Sequence, residues 1–195
     1  MGTVELCTTT AREPLVINQA IHIAEGNFTS VTIGCEGQSS SDSVEPGCAI
    51  NKEMSGGFVV GDLTNGANIE FVFENIIVTE QIFAPQADVS FINAGVTDSL
   101  LSITNCKFEN FASSNVSVID ILQDGATHLQ VDHTLFMSND SGTIKISSLA
   151  SDGVDDPIEG TFTIMNSIFT SNAGQFAVFG DFSTRVGTCN LQICA

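Results

Sequence analysis

Apolar and polar residues alternate along this chain in short runs, separated by clusters of Gly, Asn, Asp and Ser. A period of two puts successive side chains on opposite faces of a strand, one buried and one wet. It predicts strands at Val4 to Leu6, Leu15 to Ile17, Ala20 to Ala24 and Ser30 to Gly34, with Pro14 and Gly26 at corners. The pattern resumes as CAI from Cys48, GGFVVGD from Gly56 and NIEFVFENIIV from Asn68. It continues through IFAPQ, DVSFINAG, LLSITNCKFENF, VSVIDILQ, HLQVDHTLF and GTIKISSLA. Gly56 and Gly57 suit a sharp bend into a buried strand at Phe58 to Val60. No stretch longer than about ten residues follows the 3.6-residue period of an amphipathic helix, and no apolar run approaches the roughly 18 residues of a membrane-spanning one. His22, between Ile21 and Ile23, is expected to face solvent, and His128 and His133 to project to opposite faces of a straight strand.

One phrase recurs: ITNCKFEN from Ile103, VDHTLFMSN from Val131 and IMNSIFTSN from Ile164. Its first slot holds Ile103, Val131 and Ile164, its third Asn105, His133 and Asn166, its sixth Phe108, Phe136 and Phe169. Phe73, Asn75 and Val78 form a degenerate copy, so the third slots lie 30, 28 and 33 residues apart. Phe91, Asn93 and Val96 read as a half-copy in between. Strand-like repeats of this size point to a solenoid, and their uneven spacing argues against two-helix units. The expected fold is therefore all-β, a parallel β-helix of about seven coils. It forms a single domain over 1–195, with first coils in 1–37, a polar loop in 37–47, repeat coils in 48–180 and a tail or cap in 181–195. Coils stacked about 4.8 Å apart place like on like. A phenylalanine column should fill the interior, and an asparagine column at an inward bend, with Asn105 inside it and His133 as a substitute, should satisfy buried backbone groups.

VTIGCEG, GCAIN, GGFVVGD and IEFVFENIIVTE, after an early LC, resemble the opening of right-handed parallel β-helix domains of the pectin-lyase-like type. Such domains occur in secreted or surface proteins, notably of algae and other microbial eukaryotes, and the likeness spans most of residues 4–180. These motifs are turn glycines, inward aliphatics and ladder asparagines, so they specify fold rather than chemistry.

Composition narrows the functional classes. With 23 acidic and 5 basic residues the net charge is −18, which makes nucleic acid and anionic membranes poor partners and divalent cations better ones. Fourteen Phe with neither Trp nor Tyr weakens a sugar-stacking platform, since Phe lacks a polar handle and goes inside. The six cysteines are Cys7, Cys35, Cys48, Cys106, Cys189 and Cys194. Cys35 with Cys48, and Cys189 with Cys194, are close enough in sequence for local bridges in an oxidising compartment, while Cys106 reads as a small apolar residue. No cysteine or histidine grouping has zinc spacing. MGTVELC at the start lacks the basic-then-apolar pattern of a secretory leader, so a targeting peptide is not visible in this chain.

The sharpest charged loop, ASDGVDDPIEG, gathers Asp152, Asp155, Asp156 and Glu159, oxygen ligands suited to Ca²⁺ but without the spacing of an EF-hand. The β-helix resemblance implies one enzymatic alternative, a Ca²⁺-dependent lyase or hydrolase of acidic polysaccharides. Elimination needs a base and cationic neutralisation of the substrate, yet Arg12, Lys52, Lys107, Lys145 and Arg185 are scattered. Hydrolysis needs paired carboxylates, for which Asp120, Asp124 and Asp132 are the candidates. The polygalacturonase motifs NTD, DD and GHG are absent save for Asp155–Asp156. Threonine pairs at Thr8 to Thr10 and Thr161 to Thr163 do not recur at coil spacing, against an ice-binding array. Sequons stand at Asn27, Asn115 and Asn139. The balance favours a non-catalytic, secreted, cell-surface or lumenal module that binds a protein or glycan or serves as a subunit of a larger assembly.

Overall fold

The computed structural model describes residues 2–5, 14–23, 30–35, 48–53, 55–61, 69–80, 89–96, 99–112, 116–123, 127–148, 159–174, 177–181 and 188–194. Among them there is no helix, and nineteen strands follow one another in threes. The first coil is β1 (Gly2–Glu5), β2 (Leu15–Ile17) and β3 (Ala20–Ile23); the second is β4 (Ser30–Gly34), β5 (Cys48–Lys52) and β6 (Gly57–Val60). The third comprises β7 (Glu70–Glu74), β8 (Ile76–Glu80) and β9 (Ile92–Val96), the fourth β10 (Ser99–Thr104), β11 (Lys107–Glu109) and β12 (Ser117–Gln123). β13 (Thr127–Asp132), β14 (Leu135–Met137) and β15 (Gly142–Ser148) make the fifth, β16 (Glu159–Met165), β17 (Ile168–Thr170) and β18 (Val178–Asp181) the sixth, and β19 (Thr188–Cys194) opens a seventh.

Every strand pairs in parallel with its equivalents in adjacent coils. Sheet A takes the first strand of each coil, in the order β1-β4-β7-β10-β13-β16-β19; sheet B runs β17-β14-β11-β8-β5-β2 and sheet C β18-β15-β12-β9-β6-β3. This is an all-β parallel β-helix. The expected strands in 1–34 appear within a residue or two of their limits, and His22 is exposed.

Register turns the sequence phrase into columns. Phe73, Ile103, Val131 and Ile164 align in sheet A, and Val78, Phe108, Phe136 and Phe169 in sheet B. Phe108 and Phe136 stack with ring centroids 5.2 Å apart, Phe136 and Phe169 4.8 Å apart. Toward the N-terminal coils Phe58 meets Phe73 and Phe91 edge-on, at 5.5 and 5.4 Å. Ile33, Ile50, Ile92, Ile119 and Ile144 complete a continuous core. The supposed half-copy at Phe91 belongs to the third side of the coil: Phe91 is buried ahead of β9, and Asn93 projects from sheet C into solvent.

Corners explain why asparagine recurs. Between sheets A and B the chain turns on one left-handed residue, Asn75, Asn105, His133 or Asn166, with φ of 57°, 52°, 48° and 49°. Short polar side chains tolerate this region best among residues other than glycine. Backbone hydrogen bonds run through the turn from coil to coil, Asn75 N donating to Thr104 O and Asn105 N to Asp132 O, at 3.2 and 3.0 Å. In the second coil this corner is opened instead between Cys35 and Cys48, which are joined by a disulfide across 13 positions with Cα atoms 6.0 Å apart. Cys48 N still bonds Asn75 O, so the bridge closes the corner that a single left-handed residue closes in the third to sixth coils.

The asparagine column is not interior as expected. Asn105 Nδ2 donates to Asn75 Oδ1 at 2.7 Å and Asn75 Nδ2 to Cys35 O at 3.0 Å, but both residues are half-buried, while His133 and Asn166 are exposed. The buried amide lies one corner later. After β11, β14 and β17 the chain turns on Asn110, Ser138 and Ser171, at φ of 63°, 55° and 54°; the residues that follow are Phe111, Asn139 and Asn172. Asn139 is fully buried: its Oδ1 accepts from Phe111 N at 3.1 Å, its Nδ2 donates to Phe108 O at 3.3 Å, and its own N donates to Asn172 Oδ1 at 3.0 Å. The sequon at Asn139 is therefore closed to glycosylation in the folded chain; Asn27 and Asn115 lie outside the described residues.

Cys189 and Cys194 are placed by their backbone alone. Both residues belong to the one strand β19. The polar loop 37–47 lies outside the described residues, and the tail supplies β19 on β16.

Candidate functional site

Alternation in sheet A buries Val31, Phe71, Leu101, Leu129 and Phe162 and, two positions on, Ile33, Phe73, Ile103, Val131 and Ile164. The residues between them point outward. Thr32, Val72, Ser102, Gln130 and Thr163 stand in one register row across five coils, all partly exposed and none charged. At about 4.8 Å per coil the row extends about 19 Å. One flank carries Ser30, Glu70, Leu100, His128 and Thr161, the other Glu74, Thr104, Asp132 and Met165. Thr161 and Thr163 are matched in the preceding coil by His128 and Gln130, so threonines do not align into an array. The result is a face of hydrogen-bonding and aliphatic groups with Glu70, Glu74 and Asp132 at its margins.

At its edge, Asp132 Oδ1 lies 2.9 Å from His133 Nδ1 and accepts from Asn166 Nδ2 at 2.9 Å. Burial pushes this carboxyl up, but the hydrogen bonds from Asn166 and His133 outweigh it and hold Asp132 below its ordinary value. His133 thus stands where the amide chain of Asn75 and Asn105 would continue, and Asp132 joins it to Asn166. His128 and His133 are both exposed, one on the strand and one at the bend. Next to Asn105, His133 and Asn166 a small side chain bonds the carbonyl two positions back: Cys106 Sγ to Thr104 O, Thr134 Oγ1 to Asp132 O and Ser167 Oγ to Met165 O, at 3.2, 3.0 and 2.7 Å. Cys106 therefore fills a hydroxyl position rather than a merely apolar one. Burial pushes its thiol up to about 12, which leaves it unreactive.

The described basic residues are dispersed. Lys52 is fully buried, its Nζ 2.6 Å from Glu80 Oε1, and Glu80 Oε2 accepts from Ala112 N at 2.7 Å. Lys107 pairs with Glu109 at 2.6 Å on the outside of sheet B, where Thr79 also donates to Glu109 at 3.0 Å. Lys145 lies 3.8 Å from Asp120 on the outside of sheet C. Burial raises the Asp120 carboxyl, and Lys145 offsets only part of that. Asp120 and Asp132 therefore occupy different sheets, and Asp124, Arg12 and Arg185 lie outside the described residues.

Of the expected calcium ligands, Asp152, Asp155 and Asp156 lie outside the described residues, and Glu159 is placed by its backbone alone, at the start of β16. Among the described residues no group of three or more His, Cys, Asp or Glu is positioned to hold a metal, and no helix is long and apolar enough to cross a membrane. Sequence reasoning did not foresee that Lys52 and Asn139 are buried. Position 52 falls on the alternation of β5 as an inward residue, a lysine among inward aliphatics, and that was the available signal. Compared with protein-family models, with curated proteins and with solved structures, the chain gives no match.

Proposed function

We propose that this β-helix is a diverged, secreted or lumenal member of the pectin-lyase-like class that acts by contact, as a binding or assembly module, through the outer face of sheet A. The observation that carries the reading is the uncharged row Thr32, Val72, Ser102, Gln130 and Thr163, in register on a parallel sheet. Such a row offers evenly spaced donors and acceptors to a protein edge or a glycan chain, with no charge to desolvate at its centre. Dispersal of Lys52, Lys107 and Lys145 into separate pairs supports contact over elimination chemistry, which needs a cationic base beside the substrate. Three parallel sheets and left-handed corner asparagines support the class, and the Cys35–Cys48 bridge supports an oxidising compartment.

Affinity electrophoresis through gels containing neutral or acidic polysaccharides, with pull-down by an immobilised candidate partner, tests the reading. The wild type should be retained on at least one of them, and Ser102→Lys/Gln130→Lys/Thr163→Lys should not. New unsaturated or reducing ends from a polyuronate with Ca²⁺ would overturn it in favour of an enzyme.

A further inference from the structure

Sheet B presents a different outer surface from sheet A. Val78, Phe108 and Phe136 point into the core, so the residues on either side of them face out, in two register rows. One row is Ala49, Ile77, Lys107, Leu135 and Ile168; the other runs beside it through Thr79, Glu109 and Met137. Aliphatic side chains thus lie above and below one charged level. Ile77, Leu135 and Met137 keep part of their surface in water, and Ile168 is 60% exposed. At the charged level Lys107 Nζ lies 2.6 Å from Glu109 Oε2. Among the described outward residues of sheet B these two are the only charges, and they cancel. Sheet A instead carries Glu70, Glu74 and Asp132, with no Lys or Arg on its strands.

We infer that the outer face of sheet B joins two copies of this chain, side by side with their coils running in the same direction. A two-fold axis along the stack reverses the strands and lays each row on the other row of the second copy, level by level. Lys107 then faces Glu109 of the second copy while keeping its own Glu109 beside it, and Leu135 faces Met137 of the second copy. Four charges of alternating sign meet at the centre, with aliphatic contacts to either side. A two-fold along the strands would instead set Lys107 on Lys107 or on an aliphatic residue, which charge disfavours. The net charge of −18 on each chain opposes association, and a face whose own charges cancel is where two copies approach with least repulsion. The strip is small. Six strands by three residues cover about 24 Å by 10 Å, below the usual interface size, so the dimer is a weak and transient one.

The inference goes beyond the contact reading of sheet A and uses a separate surface. Sedimentation equilibrium of the full chain tests it, in about 0.15 M salt, where the screening length is about 8 Å, and over roughly 10 µM to 1 mM protein. The weight-average mass of the wild type should rise toward that of two chains. Lys107→Glu and Glu109→Lys each set like charges against one another at the centre, and each should weaken association about tenfold or more, although they move the net charge by two in opposite directions. Lys107→Glu/Glu109→Lys should restore association. Ile77→Lys/Leu135→Lys should remove it, and the Ser102/Gln130/Thr163 variant should associate no less than wild type. All these positions face solvent, and circular dichroism checks that each variant keeps the fold. A wild type that holds the mass of one chain throughout overturns the inference and leaves the face to a different protein or to none. So does tighter association of Glu109→Lys than of wild type, which would make net charge alone the governing factor, and so does a folded charge-swapped double variant that stays monomeric. A monomeric wild type still retained through sheet A defeats this inference alone.

Discussion

At the bend between sheets A and B the left-handed residue keeps its side chain near the surface, whereas at the bend between B and C the residue after it turns inward. Asn75, Asn105 and Asn166 at the first bend are half-buried or exposed, and one position accepts His133. At the second, Asn139 is fully buried and bonds three successive coils through Phe111 N, Phe108 O and Asn172 Oδ1. Both bends present asparagine in the sequence, but for different reasons. One is chosen for its backbone conformation, the other for an amide that matches buried peptide groups.

Removing the inward amide should therefore cost the most. Asn139→Ala leaves Phe111 N–H buried without its acceptor and removes the Nδ2 donor to Phe108 O, while the backbone bond to Asn172 is kept, an expected loss of about 2–4 kcal/mol from one or two unsatisfied groups. A urea midpoint close to wild type would show that water takes over the role and that the two bends are energetically alike.

Asn105→Ala should cost less, about 1–2 kcal/mol, mostly because alanine adopts a left-handed backbone at a penalty. Asn105→Gly separates the two contributions, since glycine takes φ of 52° freely and loses only the bond to Asn75. It should recover at least half of the alanine loss. No recovery would mean that the amide chain, not the backbone, dominates this bend too.

The repeat period, the columns and the phenylalanine stack were legible because they follow from alternation and from a recurring phrase. Phe108, Phe136 and Phe169 share a slot in sequence and a column in space. What could not be read was which asparagine faces in. Asn105 and Asn139 both follow an apolar strand, and one residue of offset, Ser138 taking the left-handed position ahead of Asn139, decides inside from outside. Asn93 misled for a related reason: an Phe-x-Asn string fits a strand as well as a bend, and only pairing with Val59 and Asp120 places it on sheet C. For the candidate site, the outer row of sheet A depends on register between coils whose connecting lengths differ. The uneven spacing of 30, 28 and 33 residues conceals which polar residues become neighbours.

Within the first bend, His133 is the departure from asparagine, and His133→Asn should be the milder test. Asparagine suits φ of 48° and can extend the amide chain from Asn105, at the loss of the contact with Asp132. A gain of a few tenths of a kcal/mol is expected in the urea midpoint, on the scale of one exposed helix-pair or surface ion-pair contribution. A loss would assign the Asp132–His133 contact more weight than the bend itself.

Acid titration gives the smallest effect and separates the two aspartates. Asp132 has its carboxyl pulled below the ordinary value because the bonds from Asn166 and His133 outweigh burial, so the folded state binds its proton more weakly than the unfolded chain does. The stability this supplies is present above the unfolded value near ~3.9 and is lost as pH falls through the lower, folded one. Asp120 runs the other way. Burial raises it despite Lys145, so its ionisation works against folding above its folded value, and that penalty is relieved as pH drops toward the unfolded one. Asp132→Asn should therefore flatten the loss of stability on the acid limb, and Asp120→Asn should steepen it. The comparison is made on urea midpoints measured between about pH 6 and pH 3, a window that brackets the ordinary carboxylate range. Parallel acid limbs for the two variants would mean that neither hydrogen bonding at the corner nor burial on sheet C governs its carboxylate, and that the Asp132–His133–Asn166 cluster is held loosely in solvent.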